Sequence, residues 1–500
     1  MDQSASNPPI RAIAGRFSFR FSKQALSRVF KHRPFEYCAL ISKGKEPDFF
    51  AEIPLENQEW FDSGEVRGCK YAGVDWNALA PLDATLIERM RECECMFMDV
   101  IARLEWKRSI PYATRKRWYL QHLRFWNDYL SRHRINLYLS AWMPHELPDL
   151  IIYYLCKARS IPVLYFDASA VRDTSFAEHD IKQSSIQIRQ RYEELAAEYA
   201  DVTDPKDIPL SDRFEQRYQA LTAPMGEEPP LENVWNTTYF DHVRKLLIEK
   251  PLFFCKCALQ YVTPRGIARA RSTWRRKRII EERNAFYEAH AVTPDLSKPF
   301  VYMTLHYQPE ASTIPMAGAY REQLLIAQTL NACLPDGVII YVKEHPRNSG
   351  WLQRSIAYYE DFLALEKVRF VPRSFDTFTL REHCMAVATA TGTIGFEALF
   401  RGKPTLMFGH RFYQYAPGVY QIHSMDDCRR AVHDIFVEKK APTLKEARLF
   451  MKAMDDTCIH GTLNIWHLKV SHLSDEEHMQ ANAEAMLHEL SLLAPAIAAV

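Results

Sequence analysis

Three polar clusters of the sequence stand where apolar runs typical of β-strands stop. They occupy residues 306–313, 343–346 and 391–397, and they hold imidazoles, carboxylates, hydroxyls and a lysine. In an open parallel sheet the carboxyl ends of the strands share one edge, so side chains that follow neighbouring strands meet there. The sequence therefore predicts that the three clusters line a single crevice, which is the candidate active site.

The cluster at residues 306–313 places the carboxylate of Glu310 just after a buried-strand pattern. Pro309 restricts the residue before it to an extended conformation, so we expect Glu310 to be held out from the strand end. A carboxylate presented in this way suits nucleophilic or general-base chemistry at an anomeric carbon. Other polar side chains of this cluster are expected to contact substrate: Gln308, Ser312 and Thr313.

The second cluster ends the apolar run 337–342, where a cation at the strand tip has little packing purpose. Lys343 supplies a point charge and His345 a hydrogen-bond donor for a phosphate oxygen. Pro346 fixes the turn that aims the imidazole. The alternative is a structural histidine that is capped by a carbonyl group.

The third cluster predicts a phosphate-binding turn. Gly392 and Gly395 allow a tight turn and a close approach of phosphate, and a helix that begins near Thr393 offers unpaired N–H groups. Glu397 lies about one turn into that helix, where a carboxylate can accept hydrogen bonds from two vicinal ribose hydroxyls. The alternative is a glycine-rich turn followed by an acid that merely stabilises the helix.

The amino-terminal half contains a β–α–β pattern, with strands predicted at 135–142 and 161–168 and a helix at 148–160. The loop between the first strand and the helix holds His145 and Glu146. Because such a loop opens toward the ligand edge of a parallel sheet, both residues are site candidates. Alternatively, Glu146 only stabilises the positive end of the following helix.

The composition limits the class of protein. The 500 residues carry a net charge of +1, with 47% hydrophobic and 25% charged residues, which is typical of a globular chain and gives no general reason to expect nucleic acid as a partner. The eleven cysteines lack paired zinc-type spacing, which favours reduced thiols in a cytosolic protein. No apolar run approaches the roughly 18–20 residues of a membrane span.

Two basic, acid-free runs leave alternatives open. Residues 11–33 hold seven Lys/Arg, with phenylalanines that alternate from Phe17 to Phe21 like those of a strand. An ordinary basic strand and helix, a membrane-contacting segment and an organelle transit peptide all fit this run. The run from Arg265 to Arg278 holds seven more around Trp274. It is either a solvated helix face or a surface that contacts anionic lipid or an anionic polymer.

The three clusters, with Gly402-Lys403-Pro404 leading to Phe408-Gly409, resemble the capsular-polysaccharide biosynthesis glycosyltransferases, a group that includes bacterial transferases that use CMP-Kdo. The resemblance covers mainly residues 299–420, and residues 143–146 resemble the family more weakly. It implies an α/β, GT-B-like fold of two facing Rossmann-like domains with parallel sheets and extra helices. The predicted divisions are an acceptor-side domain with a helical insertion at 1–292, a donor domain at 293–475, and a helix and tail at 476–500.

The resemblance also suggests roles for individual residues. It implies contacts with the donor phosphate for the following residues: His345, Pro346, Thr391 and Thr393. In the Kdo transferases an aspartate follows a glutamine by four residues, and Glu310 follows His306 at the same separation, so His306 joins Glu310 and Glu146 as a catalytic candidate. Residues 410–415 differ from the aromatic-Ala-Gly-Trp-Gly segment of the family, and Tyr413 within them is expected to contact substrate.

Together these patterns predict a glycosyltransferase that moves a sugar from a nucleotide donor, with a CMP-linked acidic sugar favoured, onto a surface polysaccharide or glycolipid. No Asp-x-Asp stands at the site, so we expect neither a metal nor a cofactor. The alternatives are a GT-B-shaped nucleotide-sugar 2-epimerase and a non-catalytic glycan-binding member of an assembly complex. The expected location is cytoplasmic, at the inner face of the membrane if the run from Arg265 to Arg278 binds lipid, with no nucleic-acid partner.

Overall fold

Two largely parallel sheets organise the chain in the computed structural model, which describes residues 8–105, 109–225, 263–308, 310–345, 354–464 and 470–500. The first sheet consists of β1 (Arg11–Gly15), β2 (Tyr37–Ser42), β3 (Gln58–Asp62), β4 (Leu137–Ser140), β5 (Val163–Ala168) and β6 (Ser175–Glu178). Among the described residues its spatial order is β3-β2-β1-β4-β5-β6, and only β6 runs antiparallel to its neighbour.

The second sheet consists of β7 (Phe300–Thr304), β8 (Ile339–Lys343), β9 (Val368–Phe370), β10 (Ala386–Thr389), β11 (Thr405–Met407) and β12 (Val419–Gln421). Its order within the described ranges is β12-β11-β10-β7-β8-β9, and every pair is parallel. The strands β10, β7 and β8 are therefore adjacent, so the loops that follow them share one edge.

Helices cover both faces of each sheet. Those of the amino-terminal half are α1 (Arg20–His32), α2 (Ser63–Arg67), α3 (Ala84–Arg89), α4 (Arg91–Val100), α5 (Tyr112–Arg132), α6 (Leu147–Ala158), α7 (Ile186–Glu198) and α8 (Asp212–Thr222). Those that follow are α9 (Pro264–Ala289), α10 (Leu324–Cys333), α11 (Ile356–Leu363), α12 (Thr377–His383), α13 (Thr393–Leu399), α14 (Met425–Phe436), α15 (Leu444–Thr457), α16 (Asp475–Leu492) and α17 (Ala494–Ala498).

The alternation of side chains along the strands places apolar residues in a core on each face. In β4, Leu137 and Leu139 pack with α1 and α16, whereas Tyr138 packs on the opposite face with α5 and α6. In β10, Ala388 and Val387 likewise enter different cores. These strands are buried on both faces, which explains their nearly continuous apolar sequences.

The packing of helices crosses the predicted boundary at residue 293 in both directions. Helix α7 packs on α15, and Phe214 and Tyr218 of α8 share a core with Phe396 of α13. In the opposite direction, α16 returns to the first sheet and packs along α1. The division at residues 292, 293, 475 and 476 stays a prediction, and the two sheets exchange helices across it.

The predicted β–α–β unit is confirmed by β4, α6 and β5, and the α/β class with two Rossmann-like sheets is confirmed as well. The basic run 11–33 is a strand and a helix, but the strand is β1, and the expected strand at Phe17–Phe21 is wrong because α1 already begins at Arg20. Of the helices in the described ranges, none combines the length with the apolar character needed to cross a bilayer.

Candidate active site

The three predicted clusters meet at the carboxyl edge of the second sheet, as expected from the adjacency of β10, β7 and β8. The ring of His306, after β7, accepts a hydrogen bond from the backbone N–H of Ala390, after β10 (3.1 Å). The carbonyl oxygen of His306 accepts a hydrogen bond from Arg354, which also pairs with Glu344 after β8. The prediction of a single crevice edge is thereby confirmed for these loops.

His306 is a buried, uncharged histidine. Its Nε2 accepts the Ala390 N–H and lies 2.9 Å from the hydroxyl oxygen of Thr389, so the ring proton is on Nδ1. Burial, followed by the charges of His345 and Arg354, lowers the pKa of the ring to about 3. In this arrangement His306 joins two strand ends, and Nε2 can act as a base only by giving up the bond to Ala390. Its catalytic role stays a prediction.

The residue that organises the second cluster is Glu344, which is not among the residues predicted for the site. Its carboxylate is fully buried, lies 2.6 Å from Nη1 of Arg354, and accepts hydrogen bonds from the hydroxyl of Tyr359 (2.5 Å) and the backbone N–H of His345 (2.9 Å). Arg354 in turn donates to the carbonyl of His306 (2.6 Å). One buried ion pair therefore positions the backbones of both histidines.

Lys343 and His345 have different surroundings although they lie two residues apart. Lys343 is buried, its ammonium donates to the hydroxyl of Thr377 at the start of α12 (2.8 Å), and burial lowers its pKa. The half-buried ring of His345 lies 6.1 Å from the ring of Tyr307. His345 is thus the more accessible of the two predicted phosphate contacts. Pro346 lies outside the described residues.

At the third cluster, two side chains that the sequence predicts as ligand contacts form hydrogen bonds to backbone carbonyls of the site loops. The hydroxyl of buried Thr391 donates to the carbonyl of Ser312 (2.6 Å), and the hydroxyl of Tyr413 donates to the carbonyl of Gly392. A Cβ at Gly395 would lie 2.6 Å from that tyrosine oxygen, so this glycine is needed for the close packing. Thr393 is the exposed first residue of α13, where it is accessible to a ligand.

Glu397 is buried rather than open to the crevice. Its carboxylate oxygens lie 3.6 Å from Nη1 of Arg381 and 4.0 Å from Nη2 of Arg217, a residue of α8. Two guanidinium groups therefore already neutralise this carboxylate. The predicted contact between Glu397 and ribose hydroxyls stays a prediction, and these arginines would compete with it.

Glu310 is exposed at the start of a loop that crosses to the first sheet. Thr313 closes the loop by accepting from the backbone N–H of Glu310 (3.2 Å) and donating to its carbonyl (3.0 Å). Ile314 and Met316 then enter the core of the first sheet. Gln308 accepts from the amide of Gln323 (3.2 Å). The loop that begins at Glu310 thus reaches the first sheet. The catalytic role of Glu310 stays a prediction, and Pro309 lies outside the described residues.

The opposite wall is formed by the loop between β4 and α6. Nδ1 of His145 donates to the carbonyl of Met143 (2.7 Å), so the lone pair is on Nε2, and burial lowers the pKa of this ring to about 3. The carboxylate of Glu146 lies among three arginines, at 3.9 Å from Arg16, 3.6 Å from Arg67 and 3.9 Å from Arg103.

These arginines determine the charge of Glu146. Burial would raise the pKa of its carboxyl, but His145 and the three arginines outweigh burial and lower it below its usual value. Since His145 is uncharged at neutral pH, the arginines provide the effect there. A carboxylate with a lowered pKa is a weaker general base, which reduces its suitability for activating an acceptor hydroxyl.

Arg103 connects the two walls electrostatically. Burial lowers the pKa of its guanidinium, and the carboxylates of Glu146 on one side and Glu310 on the other oppose that lowering. The two predicted catalytic carboxylates therefore act on the same guanidinium, although they belong to different sheets. The three arginines were missed because they come from separate segments, and only Arg16, directly after β1, could have been found as a strand-end residue.

A group of potential metal ligands lies on α15 and the loop after it, not at the strand ends. Asp455, Cys458 and His460 can each offer a ligand atom, and these atoms lie within 4.8 Å of one another. Both oxygens of Asp455 already accept hydrogen bonds from Ser211, at 2.6 and 2.8 Å. The position of Asp455 is therefore explained by its hydrogen bonds to Ser211, the residue before α8, without a metal ion.

Comparison with known families gives one match. Residues 275–462 match the family model described as capsule polysaccharide biosynthesis protein. This range includes β7 to β12 and the three clusters of the crevice, so the predicted family resemblance is confirmed for the second sheet. No curated protein matches the chain at a significant level.

Solved structures of several kinds are similar to this chain at low identity and low TM-score. The β-Kdo 2,7-transferase KpsC of Thermosulfurimonas dismutans is 13% identical over 77% of this chain and 95% of that chain, with a TM-score of 0.29. UDP-GlcNAc 2-epimerase from Methanocaldococcus jannaschii is 9% identical over 88% and 98%, with a TM-score of 0.24. A glycosyltransferase from Rickettsia africae is 9% identical over 97% and 99%, with a TM-score of 0.25.

Proposed function

We propose, from the premise that this chain carries a capsule polysaccharide biosynthesis domain, that it is a glycosyltransferase that uses a nucleotide-sugar donor. The acceptor is a polysaccharide or glycolipid of the cell surface. The observation that supports this proposal most directly is geometric: Arg103 lies 3.9 Å from Glu146, and the loop that begins at Glu310 packs into the core of the first sheet. Both carboxylates accordingly act on the guanidinium of Arg103. A sugar held between the two sheets would be reached by a carboxylate from each side.

The donor is proposed to bind at the carboxyl edge of the second sheet, beside His345, Thr393 and Gly392. We favour a CMP-linked acidic sugar such as Kdo, which the sequence resemblance suggests. We also favour transfer without a metal ion, because lysine and histidine side chains can bind the phosphate. The enzyme would work in the cytoplasm. Formation of free sugar without any acceptor would instead indicate an epimerase, and product analysis distinguishes these activities.

The first expected result concerns nucleotide binding. CMP at about 100 times its dissociation constant should stabilise the protein by about 2.7 kcal/mol and raise its melting temperature, and UDP should do so less. His345→Ala should weaken CMP binding by about 1.5–3 kcal/mol, because a hydrogen bond to a charged phosphate is lost. Calorimetric titration of the wild type and the variant measures both effects.

His383→Ala is a suitable control for the nucleotide experiment. His383 is exposed at the end of α12, and its ring contacts the carbonyl of Thr379 in its own helix. CMP affinity should be unchanged in this variant. If no nucleotide shifts the melting temperature of the wild type, a non-catalytic glycan-binding role is favoured. If His345→Ala binds CMP normally, His345 is not part of the donor site.

Helix α9 is the proposed contact with the membrane. Trp274 is 61% exposed, and Ile267 and Ile279 are also exposed, on a helix whose basic residues include Arg275 and Arg278. The guanidinium of Arg278 lies 5.3 Å from the Trp274 ring, and it also faces Glu282 one turn later. Exposed apolar side chains among cations suit the interface of an anionic bilayer.

The second expected result is salt-dependent binding to vesicles. Vesicles that contain anionic phospholipid should bind the protein at low salt and release it as salt screens the cations. The fourfold replacement of Arg275, Arg276, Lys277 and Arg278 by Gln should abolish binding. Replacing Lys439 and Lys440, in the loop after α14, by Gln should not abolish binding. Cosedimentation measures the fraction of protein bound to vesicles. If neither added salt nor the fourfold replacement reduces this fraction, α9 is a solvated helix and not the membrane contact.

A further inference from the structure

Arg16, Arg67 and Arg103 converge at the carboxyl edge of the first sheet from three segments of the chain. Arg16 follows β1 with a backbone φ of 69°, Arg67 ends α2, and Arg103 lies in the 3₁₀ turn Ile101–Leu104. Their nearest carboxylates within the same wall are those of Glu146 and Asp149. These three cations thus share two anions of their own wall in a partly buried setting, and the carboxylate of Glu310 on the opposite wall also acts on Arg103.

The contacts within this arginine cluster are longer than charge-assisted hydrogen bonds. The three guanidinium groups approach Glu146 to 3.6–3.9 Å, whereas hydrogen bonds between ions are about 2.7–2.9 Å. Among the described residues, Arg67 makes this ion pair and no hydrogen bond, and 40% of its side chain is exposed. The guanidinium of Arg67 therefore has N–H donors that a ligand can use.

The cluster adjoins groups that suit a sugar. The ring of His145 lies 5.2 Å from that of Trp142, and the guanidinium of Arg16 lies 5.6 Å from the Trp142 ring. Nε2 of His145 carries a lone pair that can accept a hydrogen bond from a hydroxyl. The three arginines already surround the carboxylate of Glu146, so their arrangement can accommodate a carboxylate group.

We infer that the arginine cluster binds the carboxylate of an acidic sugar in the acceptor. We also infer that the carboxylate of Glu146 competes with the sugar carboxylate for the three arginines. A guanidinium binds a carboxylate through two parallel N–H groups, which no contact to Glu146 provides. The negative charge of Glu146 limits the affinity for a second anion, and removal of that charge increases it. This inference rests on the proposed transferase function, because it names the chemical class of the acceptor that would bind in the same crevice.

The test uses glucuronate and glucose as matched probes in ligand-observed NMR titrations of the full chain. Glucuronate should bind and glucose should not. Arg67→Gln should weaken glucuronate binding about ten- to hundredfold, since a charged bidentate contact is lost. Glu146→Gln should strengthen it about fivefold or more, because a charge that repels the ligand is removed while the shape is kept. Arg132→Gln, an exposed arginine of α5 paired with Asp128, is the control and should change nothing.

The outcomes separate this inference from the proposed function. Equal binding of glucuronate and glucose, or unchanged binding in Arg67→Gln, would overturn carboxylate recognition even if CMP binds normally. Weaker binding in Glu146→Gln would show that Glu146 contacts the ligand and does not compete with it. If a CMP-sugar donor displaces glucuronate, the arginine cluster binds the carboxylate of the donor sugar, and the assignment to the acceptor is overturned. Circular dichroism and melting temperature verify that each variant is folded.

Discussion

Glu310→Gln is expected to lower turnover by about a thousandfold or more while donor affinity stays within about twofold. The amide is isosteric with the carboxylate, but it neither attacks an anomeric carbon nor stabilises positive charge there. The loop should keep its conformation, because Thr313 holds the backbone of Glu310 and not its side chain. Steady-state kinetics and CMP titration measure the two quantities, and a fall in turnover alone indicates a role in the chemical step.

The control for Glu310 is Glu360→Gln on α11, which removes an exposed carboxylate of the same half of the chain. Its turnover should equal that of the wild type. Mass spectrometry of the wild type with donor and no acceptor then distinguishes the possible roles. A sugar adduct on the peptide that contains Glu310 would identify a nucleophile. An inverted product without any adduct would leave Glu310 as a general base, and normal turnover in Glu310→Gln would exclude it from the chemistry.

The parts of the site that could be predicted are those that follow from local pattern. The apolar run that becomes β10 and the glycines after it indicate a buried parallel strand and a tight turn, and both occur there. The meeting of His306 with the end of β10 follows from strand order alone, because loops after adjacent parallel strands share an edge. Periodicity and turn chemistry are local properties, so they are visible in the sequence.

The parts that could not be predicted depend on partners far away in the chain. Tyr413 and Thr391 are polar side chains near the site, yet both hydroxyls bond to backbone carbonyls. Nothing local distinguishes such a hydroxyl from one that binds ligand. The same holds for α16, which looks like a surface helix but buries Met486 and Leu490 where it packs on α1. Its partner lies more than 400 residues earlier in the sequence.

Lys343, Glu344 and His345 illustrate the difficulty within three consecutive residues. The sequence predicts the lysine and the histidine as ligand contacts, since cations and imidazoles suit phosphate. The structure buries the glutamate between them and pairs it with Arg354. Lys343 is buried as well, but it bonds to Thr377, whereas Glu344 pairs with Arg354 ten residues later. The partners of the side chains, and not their types, therefore determine which of the three stays accessible.

This buried pair leads to the second large expected effect. Arg354→Met should lower the free energy of unfolding by about 3–5 kcal/mol, because it leaves the carboxylate of Glu344 buried without its cation. The carbonyl of His306 and the loop of His345 lose their common anchor as well. CMP affinity should therefore fall even at a temperature where the variant is fully folded. Urea unfolding and CMP titration measure the two effects.

The double variant Arg354→Met/Glu344→Leu tests the cause of that loss. Replacing both members of a buried ion pair by apolar residues of similar size is often nearly neutral, so stability should return toward that of the wild type. Nucleotide affinity should not return, because no ion pair then joins the loops of His306 and His345. A double variant as unstable as Arg354→Met would show that lost packing and not the unpaired charge causes the destabilisation. Recovery of both stability and CMP binding would show that the pair has no part in positioning the donor site.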